Sequence, residues 1–424
     1  MAEKNLSQRD KKHLWHPLTQ HKLHSNMLGI VKAKGALLYD EDSKEYIDGI
    51  ASWYTCMYGH CNDYIVHKTY EQMQTLDQVV FSGFTHEPAV LLSEALMKIL
   101  PENQEKIFFS DNGSTSNEIA IKMALQYHFN LGNKRNVMLA FEDGFHGDTF
   151  GAMSVSGLSV YNGPFEDFFI EVERIPVPTE ENIDSIIRNL LTRLKKADIA
   201  GFIYEPLVQG AAAMKMHDGD GLSKILTVLK QHNVITIADE VMTGFGKTGK
   251  NFASDYIPVK PDVLCMSKAL TAGLVPMAIT SCTQKIYDAF YSDEISKGLF
   301  HGHTYTANPI ACTAALAGIE LLQSKEMQQN IERIVLSHQK FNEEIKNHPK
   351  VATTRQCGVI FALDLNVKME RYGNLRDKLF HYFMDNGVFL RPLGNTIYIL
   401  APYVVSKEQM QKIYNTIKGV LEII

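Results

Sequence analysis

The amino-acid sequence predicts an α/β protein with a mainly parallel sheet in a large domain, joined to a smaller α+β domain. Two observations carry this prediction. Short, nearly continuous apolar runs recur in the middle of the chain, as in strands that are covered on both faces. Helical patterns lie between them, and such alternation favours a parallel sheet. The runs are Ile107–Phe109, Val137–Phe141, Phe202–Tyr204, Val234–Ala238 and Val263–Met266.

The clearest helical pattern follows Asp111-Asn112-Gly113. Thr115 and Glu118 have the spacing of a capping box, which predicts the first turn of a helix at this point. Apolar side chains then recur on one face, as in a helix packed on a core. They are Ile119, Ala120, Met123, Ala124 and Tyr127.

The two ends of the chain differ from the middle. The segment 35–48 has the pattern of a hairpin, and the last hundred residues mix helices with strands. We predict helices over Met327–His348, Leu375–Asn386 and Ser406–Ile423, and strands over Val359–Leu365 and Thr396–Leu400. The hairpin is expected to join this C-terminal part. The predicted domains are therefore a large domain of residues 61–325 and a discontinuous small domain of residues 1–60 and 326–424.

Composition narrows the classes of protein. The chain has 424 residues, of which 45% are hydrophobic and 21% charged, and these are globular proportions. Its net charge of −6 gives no basic excess for a phosphate backbone, so no nucleic-acid partner is expected. The sequence shows no secretory signal and no apolar run of membrane-spanning length, which predicts a cytoplasmic protein without a membrane partner.

Two strand ends carry reactive side chains. The apolar run Ile235–Ala238 leads into Asp239, and the run Val263–Met266 leads into Ser267-Lys268, 29 residues after Asp239. Ligands of open parallel sheets collect at the carboxyl ends of the strands. A desolvated lysine there can act as an amine nucleophile, and a buried acid needs a cationic partner such as a protonated ring nitrogen. A capping aspartate and a surface lysine are the structural alternatives for each residue alone.

Further segments offer binding groups. Ser110–Thr115 joins a strand to a helix N-terminus, which suits phosphate, although ordinary capping would need the same residues. Phe145 follows a strand and could stack on a planar ligand. Arg391 could clamp a carboxylate, if it lies in a cleft. His301 and His303 lack an accompanying carboxylate set, so no metal site is predicted.

Taken in order, these motifs resemble those of the class III aminotransferases, which have pyridoxal phosphate fold type I. The resemblance extends from about Trp15 to Tyr403. It implies pyridoxal phosphate as the cofactor, small-molecule substrates and a homodimer with shared active sites. The motifs are Asp-Asn-Gly-Ser, Phe-His-Gly-Asp, Glu-Pro-Leu-Val-Gln-Gly, Ala-Asp-Glu-Val with Gly-Phe-Gly, Ser-Lys-Ala-Leu and His-Thr-Tyr.

The resemblance also implies roles for the residues at the cofactor. Lys268 would bond to the cofactor aldehyde and later move the proton, while Asp239 would pair with the ring nitrogen and keep it protonated. Gly113 and Ser114 would bind the phosphate. Phe145 would lie on the ring face. His303 and Thr304 complete the cofactor contacts, and Thr304 would reach the phosphate from the partner subunit.

The same resemblance assigns a substrate tunnel. Trp53 and Tyr54 would line it beside Phe145 and Lys268, with Gly302 nearby. Arg391 would hold the substrate carboxylate. Glu205 would support the site from behind the residues that touch the substrate.

A finer similarity links the chain to the branch of this family that acts in biotin synthesis. That branch aminates 8-amino-7-oxononanoate to 7,8-diaminononanoate, with S-adenosylmethionine or lysine as the amino donor. The similar stretches are Lys12–Thr19, Ser52–Tyr54, Phe145–Ser154 and Gly387–Pro392. The alternatives are a transaminase for another ω-amino acid or amine, and a non-catalytic protein that keeps the fold.

Three residues depart from the family pattern near the substrate. Phe145 and Leu18 stand where the family usually has tyrosine, so two hydroxyl groups are missing. His303 stands where adenosylmethionine-using members commonly have proline, and lysine-using relatives can carry histidine there. These differences concern the amino donor and leave the cofactor chemistry unchanged.

Overall fold

The structure is a computed structural model that describes residues 5–24, 26–159, 162–367 and 374–424. Strands are numbered in chain order. They are β1 Ile30–Lys34, β2 Leu37–Asp40, β3 Glu45–Asp48, β4 Lys106–Ser110, β5 Val137–Phe141, β6 Val172–Ile175, β7 Ile199–Tyr204, β8 Val208–Gln209, β9 Lys215–Met216, β10 Ile235–Asp239, β11 Val263–Met266, β12 Ala278–Cys282, β13 Val351–Cys357, β14 Ile360–Leu365, β15 Val388–Phe389 and β16 Thr396–Ile399.

Helices separate most of the strands. The α-helices are Leu6–Asp10, Asp63–Thr75, Glu87–Met97, Gly113–Asn130, Phe150–Ser154, Ile183–Arg193, Gly219–Gln231, Gln284–Asp288, Pro309–Leu322, Lys325–Ile345, Asn374–Asp385 and Lys407–Ile423. A short helical turn over Ala51–Tyr54 is left-handed. The 3-10 helices are Gly163–Phe168, Leu194–Lys196, Ala253–Tyr256, Lys268–Thr271 and Ile295–Lys297.

A seven-stranded sheet forms the centre of the fold, in the order β4-β12-β11-β10-β7-β5-β6. Only β12 runs against its neighbours β11 and β4, so the sheet is mainly parallel, as predicted. Every residue of β5, β7, β10, β11 and β12 is buried, which explains their uninterrupted apolar sequences. The carboxyl ends of β10 and β11 therefore meet at one edge of a rigid, covered sheet.

The two ends of the chain share a smaller sheet. β2 and β3 form the predicted hairpin, and β15 from the C-terminal part pairs in parallel with β3. A further antiparallel sheet has the order β13-β14-β16. The β3–β15 pairing supports a small domain built from both ends, and the boundaries at residues 60 and 325 stay a proposal.

The predicted elements agree with the structure within a few residues, with one error at a helix start. The capping box at Thr115 and Glu118 is wrong. The Asn112 side chain caps the helix Gly113–Asn130 by accepting from the Thr115 N–H, and the Thr115 hydroxyl accepts from the Asn112 N–H. An asparagine before the first helical residue satisfies a free N–H group just as well as a threonine would. The N-cap consequently lies three residues earlier, at Asn112, and the helix begins at Gly113.

The described part of the chain holds no helix whose length and apolar character would allow it to cross a membrane.

Candidate active site

Asp239 and Lys268 lie at the ends of neighbouring parallel strands. Asp239 is the last residue of β10 and is in register with Cys265 of β11. Lys268 follows β11 by two residues and has a φ of 49°, which turns the chain sharply at this point. The sheet thus brings together the two reactive residues that the sequence singles out.

Asp239 is an almost fully buried carboxylate with polar partners on both oxygens. Its Oδ2 accepts from Asn117 Nδ2 and from His146 Nδ1, each at 2.8 Å. Its Oδ1 accepts only the Val241 N–H, at 3.1 Å, among the described contacts. These bonds orient the carboxylate and leave Oδ1 able to receive a second donor, such as the N–H of a protonated ring nitrogen.

The Lys268 amine lies beside an aromatic ring. Its Nζ is 5.0 Å from the centre of the Tyr54 ring. Burial lowers the pKa of Lys268 below its ordinary value, although the charges of Asp239 and Glu205 act in the opposite direction. A lowered pKa increases the fraction of neutral amine at neutral pH, as a nucleophile or proton acceptor requires.

Glu205 fixes the backbone of Phe145. Glu205 is buried, and its two carboxylate oxygens accept from the N–H groups of Phe145 at 3.0 Å and Gly210 at 2.9 Å. Burial raises the pKa of Glu205 to about 7. The Phe145 side chain itself is 44% exposed, so its ring is free to cover a ligand.

The helix Gly113–Asn130 offers an anion site at its N-terminus. In the described part of the chain, the N–H groups of Gly113 and Ser114 have no hydrogen-bond partner, while the next two N–H groups bond to Asn112. The backbone is closely approached here, because a Cβ on Gly113 would lie 2.8 Å from the Val241 side chain. Free N–H groups at a helix start bind phosphate well.

Trp53 and Tyr54 belong to a left-handed turn. Four successive residues, Ala51 to Tyr54, have φ between 46° and 72°, and none is glycine. Each left-handed residue costs about 1–2 kcal/mol, so such a run persists only where the surroundings impose it. The turn directs the Tyr54 ring to the Lys268 amine and the Trp53 ring to the Arg391 guanidinium.

Arg391 stacks on Trp53, with its Cζ 4.9 Å from the ring centre. No carboxylate of the described residues forms an ion pair with Arg391. Tyr398 lies edge-on to Tyr54, at 5.9 Å between ring centres, and both tyrosines are buried. Arg391 is therefore held by aromatic packing and keeps its donors for an incoming anion.

The described hydrogen bonds of segment 302–304 go to other parts of the chain. Gly302 and Thr304 are exposed, and no described hydrogen bond joins residues 302–304 to Asp239 or Lys268. The Thr304 carbonyl instead accepts from Gln78 Nε2 at 2.8 Å. One chain thus brings together every predicted cofactor contact except His303 and Thr304.

Sequence reasoning missed the partners of these residues. Asn117 and His146 hold Asp239, and Tyr398 packs against Tyr54. His146 stands in the Phe-His-Gly-Asp motif, and Asn117 follows Gly113 by one helical turn, so both positions carried a usable signal. Tyr398 could not be singled out, because nothing in a strand sequence marks one buried tyrosine as a site residue.

Comparison with known proteins gives a consistent result. Residues 19–421 match the family model described as aminotransferase class III. The chain is 42% identical to an adenosylmethionine-8-amino-7-oxononanoate aminotransferase of Synechococcus elongatus, with 97% of this chain and 98% of the relative covered. The enzyme of the same name from Staphylococcus aureus is 35% identical over 97% and 96% of the two chains.

Solved structures have the same architecture. A crystal structure of adenosylmethionine-8-amino-7-oxononanoate aminotransferase from Methanocaldococcus jannaschii superposes with a TM-score of 0.92, at 31% identity and 98% coverage of both chains. An amine transaminase from an uncultivated Pseudomonas species, in a pyridoxal-phosphate-bound form, gives 0.91 at 26% identity, with 97% and 98% coverage. These similarities confirm the predicted fold.

Proposed function

Because the chain belongs to the class III aminotransferases, we propose that it transfers an amino group to 8-amino-7-oxononanoate and so forms 7,8-diaminononanoate for biotin synthesis. S-adenosylmethionine is the proposed amino donor. Enzymes of this family use pyridoxal phosphate, which confirms the predicted cofactor. The observation that carries the proposal is the pairing of Asp239 and Lys268 at adjacent strand ends. It is supported by relatives that match nearly the whole chain and have the same enzyme name.

The residues present fit pyridoxal phosphate. The free N–H groups of Gly113 and Ser114 suit its phosphate, and the Asp239 carboxylate suits its ring nitrogen. Phe145 is exposed enough to cover the ring. When bound, this cofactor supplies an aldehyde carbon for amines and a ring that withdraws electrons from the substrate carbon.

Each residue has a separate task in the proposed reaction. Lys268 would hold the cofactor through its Nζ, and the same amine would move a proton at the substrate carbon. Asp239 would keep the ring nitrogen protonated, because its carboxylate is buried and oriented by His146 and Asn117. Arg391 binds the carboxylate of the oxo acid with its guanidinium.

The donor and the acceptor are tested by product analysis. Purified protein is supplied with 8-amino-7-oxononanoate and either S-adenosylmethionine or lysine, and 7,8-diaminononanoate is measured by mass spectrometry. We expect the diamine with S-adenosylmethionine. Diamine with lysine alone would move the donor assignment to lysine. Absence of diamine with both donors, with turnover of another ω-amino acid or amine, would reject the proposed acceptor.

We also propose that the working unit is a homodimer with shared sites. Large apolar side chains are exposed around the 302–304 segment and on residues 80–84. The latter follow Gln78, which bonds to Thr304. They are Val80 at 56%, Phe84 at 62%, Phe300 at 72% and Tyr305 at 66% exposed. Exposed apolar patches of this kind mark protein interfaces. In such a dimer Thr304 reaches the phosphate of the partner subunit.

Subunit complementation tests the shared site. A Lys268→Ala chain and a Thr304→Ala chain are each expected to give weak or no activity as homodimers. A mixed dimer of the two would hold one site with an intact Lys268 and an intact Thr304 only if Thr304 serves the partner. Activity recovered on co-expression supports the shared site. Activity no higher than that of the Thr304→Ala homodimers present in the mixture contradicts it.

The predicted cytoplasmic location stays a prediction.

A further inference from the structure

Another buried carboxylate, Asp48, lies at the end of β3 and is fully covered. Its Oδ2 accepts from His60 Nε2 at 2.8 Å and from the N–H and hydroxyl of Ser52 at 2.7 and 3.0 Å. Its Oδ1 accepts the Ile50 N–H at 3.2 Å. The Asp48 side chain thus accepts hydrogen bonds from a histidine and from groups at the start of the left-handed turn.

The contact with Asp48 favours the charged form of His60. Burial acts to lower the pKa of His60, but the hydrogen bond to Asp48 and the neighbouring Cys56 and Asp48 raise it to about 10. The backbone of His60 exchanges hydrogen bonds of 2.7 and 3.0 Å with Gly35, beside the β1–β2 hairpin. The imidazolium is therefore fixed in place by the small sheet, and it compensates the buried charge of Asp48.

The backbone preferences of its own residues do not stabilise the turn that Asp48 holds. Its four consecutive left-handed residues include Trp53 and Tyr54, whose side chains favour the right-handed region. The two residues that follow the turn pack against the segment after Lys268, since a Cβ on Gly273 would lie 2.6 Å from the Cys56 sulfur and 3.1 Å from the Thr55 hydroxyl oxygen. A change in the turn would therefore move the Trp53 ring relative to Arg391 and the Tyr54 ring relative to Lys268.

We propose that His60 is a positioning residue for the substrate tunnel. Paired with Asp48, His60 holds the 51–54 turn in its left-handed conformation and so places Trp53 and Tyr54 at Arg391 and Lys268. The effect on substrate binding rests on the proposed function, whereas the effect on the turn does not. His60 touches neither reactive residue and acts through Asp48 and Ser52.

Trp53 is a direct reporter of the turn, because the chain has only two tryptophans. In a Trp15→Phe holoenzyme, Trp53 is the single tryptophan, and its emission reports the surroundings of the ring. We expect His60→Leu to shift this emission to longer wavelength and to increase its quenching by acrylamide. We also expect the KM for 8-amino-7-oxononanoate to rise about tenfold, as for a lost hydrogen bond to a charged group, with a smaller change in kcat.

Two further variants keep the test decisive if His60→Leu does not fold. Ser52→Ala removes the 3.0 Å bond to Asp48 and should shift Trp53 emission in the same direction. His60→Gln retains a donor without the charge and should restore part of the change. The combined effect of His60→Leu and Ser52→Ala should be less than additive, because both act on Asp48 Oδ2.

His338 provides a matched control. It is a fully buried histidine that bonds to the Val359 carbonyl at 3.1 Å and to the Tyr414 hydroxyl at 2.8 Å. His338→Leu should lower the melting temperature but leave Trp53 emission and KM unchanged. The inference is overturned if His60→Leu or Ser52→Ala leaves both readouts at the parent's values, or if His338→Leu shifts them equally. Should the parent enzyme show no turnover, the proposed function fails, while the emission readout still decides the role of His60.

Discussion

The cofactor side and the substrate side of the site are built differently. Around Asp239, the polar groups are buried and bonded to one another within one chain. On the substrate side, Trp53 and Phe145 are 43% and 44% exposed. The polar groups around Asp239 are thus assembled within one protomer, whereas the substrate side is open.

This difference separates reactivity from specificity. Buried, hydrogen-bonded groups keep one geometry and set the charge at the reacting atoms. Exposed aromatic side chains and a free arginine can be changed without disturbing those groups. Both residues that lack the family's usual tyrosine hydroxyl, Phe145 and Leu18, are exposed, and they lie on the open side in the predicted assignment. Variation in substrate is therefore expected there, over an unchanged chemical core.

The largest effect is expected at Lys268. Lys268→Ala should reduce turnover by about 10⁵-fold or more, as loss of a covalent nucleophile does in other enzymes, and should remove the visible absorbance of the lysine-bound cofactor. Lys285→Ala, an exposed lysine on the helix Gln284–Asp288, is the control and should change neither. Turnover retained by Lys268→Ala would contradict the comparison, because the reaction would then not depend on the cofactor side of the site.

Asp239→Asn should have the next largest effect. The amide keeps the shape of the carboxylate but cannot stabilise a protonated ring nitrogen, so kcat should fall by about 10³-fold with a small change in KM. Asp262→Asn is a suitable control, because Asp262 is also a buried acid but bonds to Thr236 and Lys230. That control should cost stability and leave the cofactor absorbance unchanged. Equal kinetics for both variants would argue against the role of Asp239.

Arg391→Ala tests the substrate side of the site. Loss of a carboxylate clamp should raise the KM for the oxo acid by about 10- to 100-fold, while kcat changes little. Arg391→Lys should recover part of the loss, since a lysine keeps the charge but not the bidentate geometry. A fall in kcat with an unaltered KM would show that Arg391 does not bind the substrate.

The smallest effect concerns pH and Glu205. Its pKa of about 7 in the folded protein exceeds the ordinary value of 4.5, so the buried carboxyl destabilises the fold as pH rises from 4.5 through 7. Glu205→Gln removes this dependence, so the variant should gain up to about 3 kcal/mol over the wild type between pH 5 and pH 8. Thermal unfolding across this range measures the difference. A difference that does not change with pH would contradict the shifted pKa.

Much of the fold and the buried side could be predicted from the sequence. The strands Val137–Phe141 and Val263–Met266 have their predicted ends, because uninterrupted apolar residues on both faces mark a covered strand. Asp239 and Lys268 follow such strands, so their position at one sheet edge needed no further information. The error at Thr115 arose because Asn112, three residues earlier, is an equally suitable N-cap residue.

The rest depended on contacts between distant segments. His60 meets Asp48 through the Gly35 bridge, and nothing in the sequence marks either residue as half of a buried pair. The left-handed turn at Trp53 also contradicts local preference, so no local rule predicts it. In the proposed dimer, the role of Thr304 depends on a second subunit, which one chain cannot reveal.

Borohydride reduction followed by peptide mapping tests the central claim most directly. Reduction fixes the cofactor covalently to the lysine that holds it. We predict loss of the yellow colour and a phosphopyridoxyl group on the peptide that contains Lys268. Lys247 is the internal control, because it is fully buried, with its Nζ bonded to the Gly244 carbonyl, and burial lowers its pKa as it does for Lys268. A label on Lys247, or no label on any lysine, would contradict the assignment of Lys268.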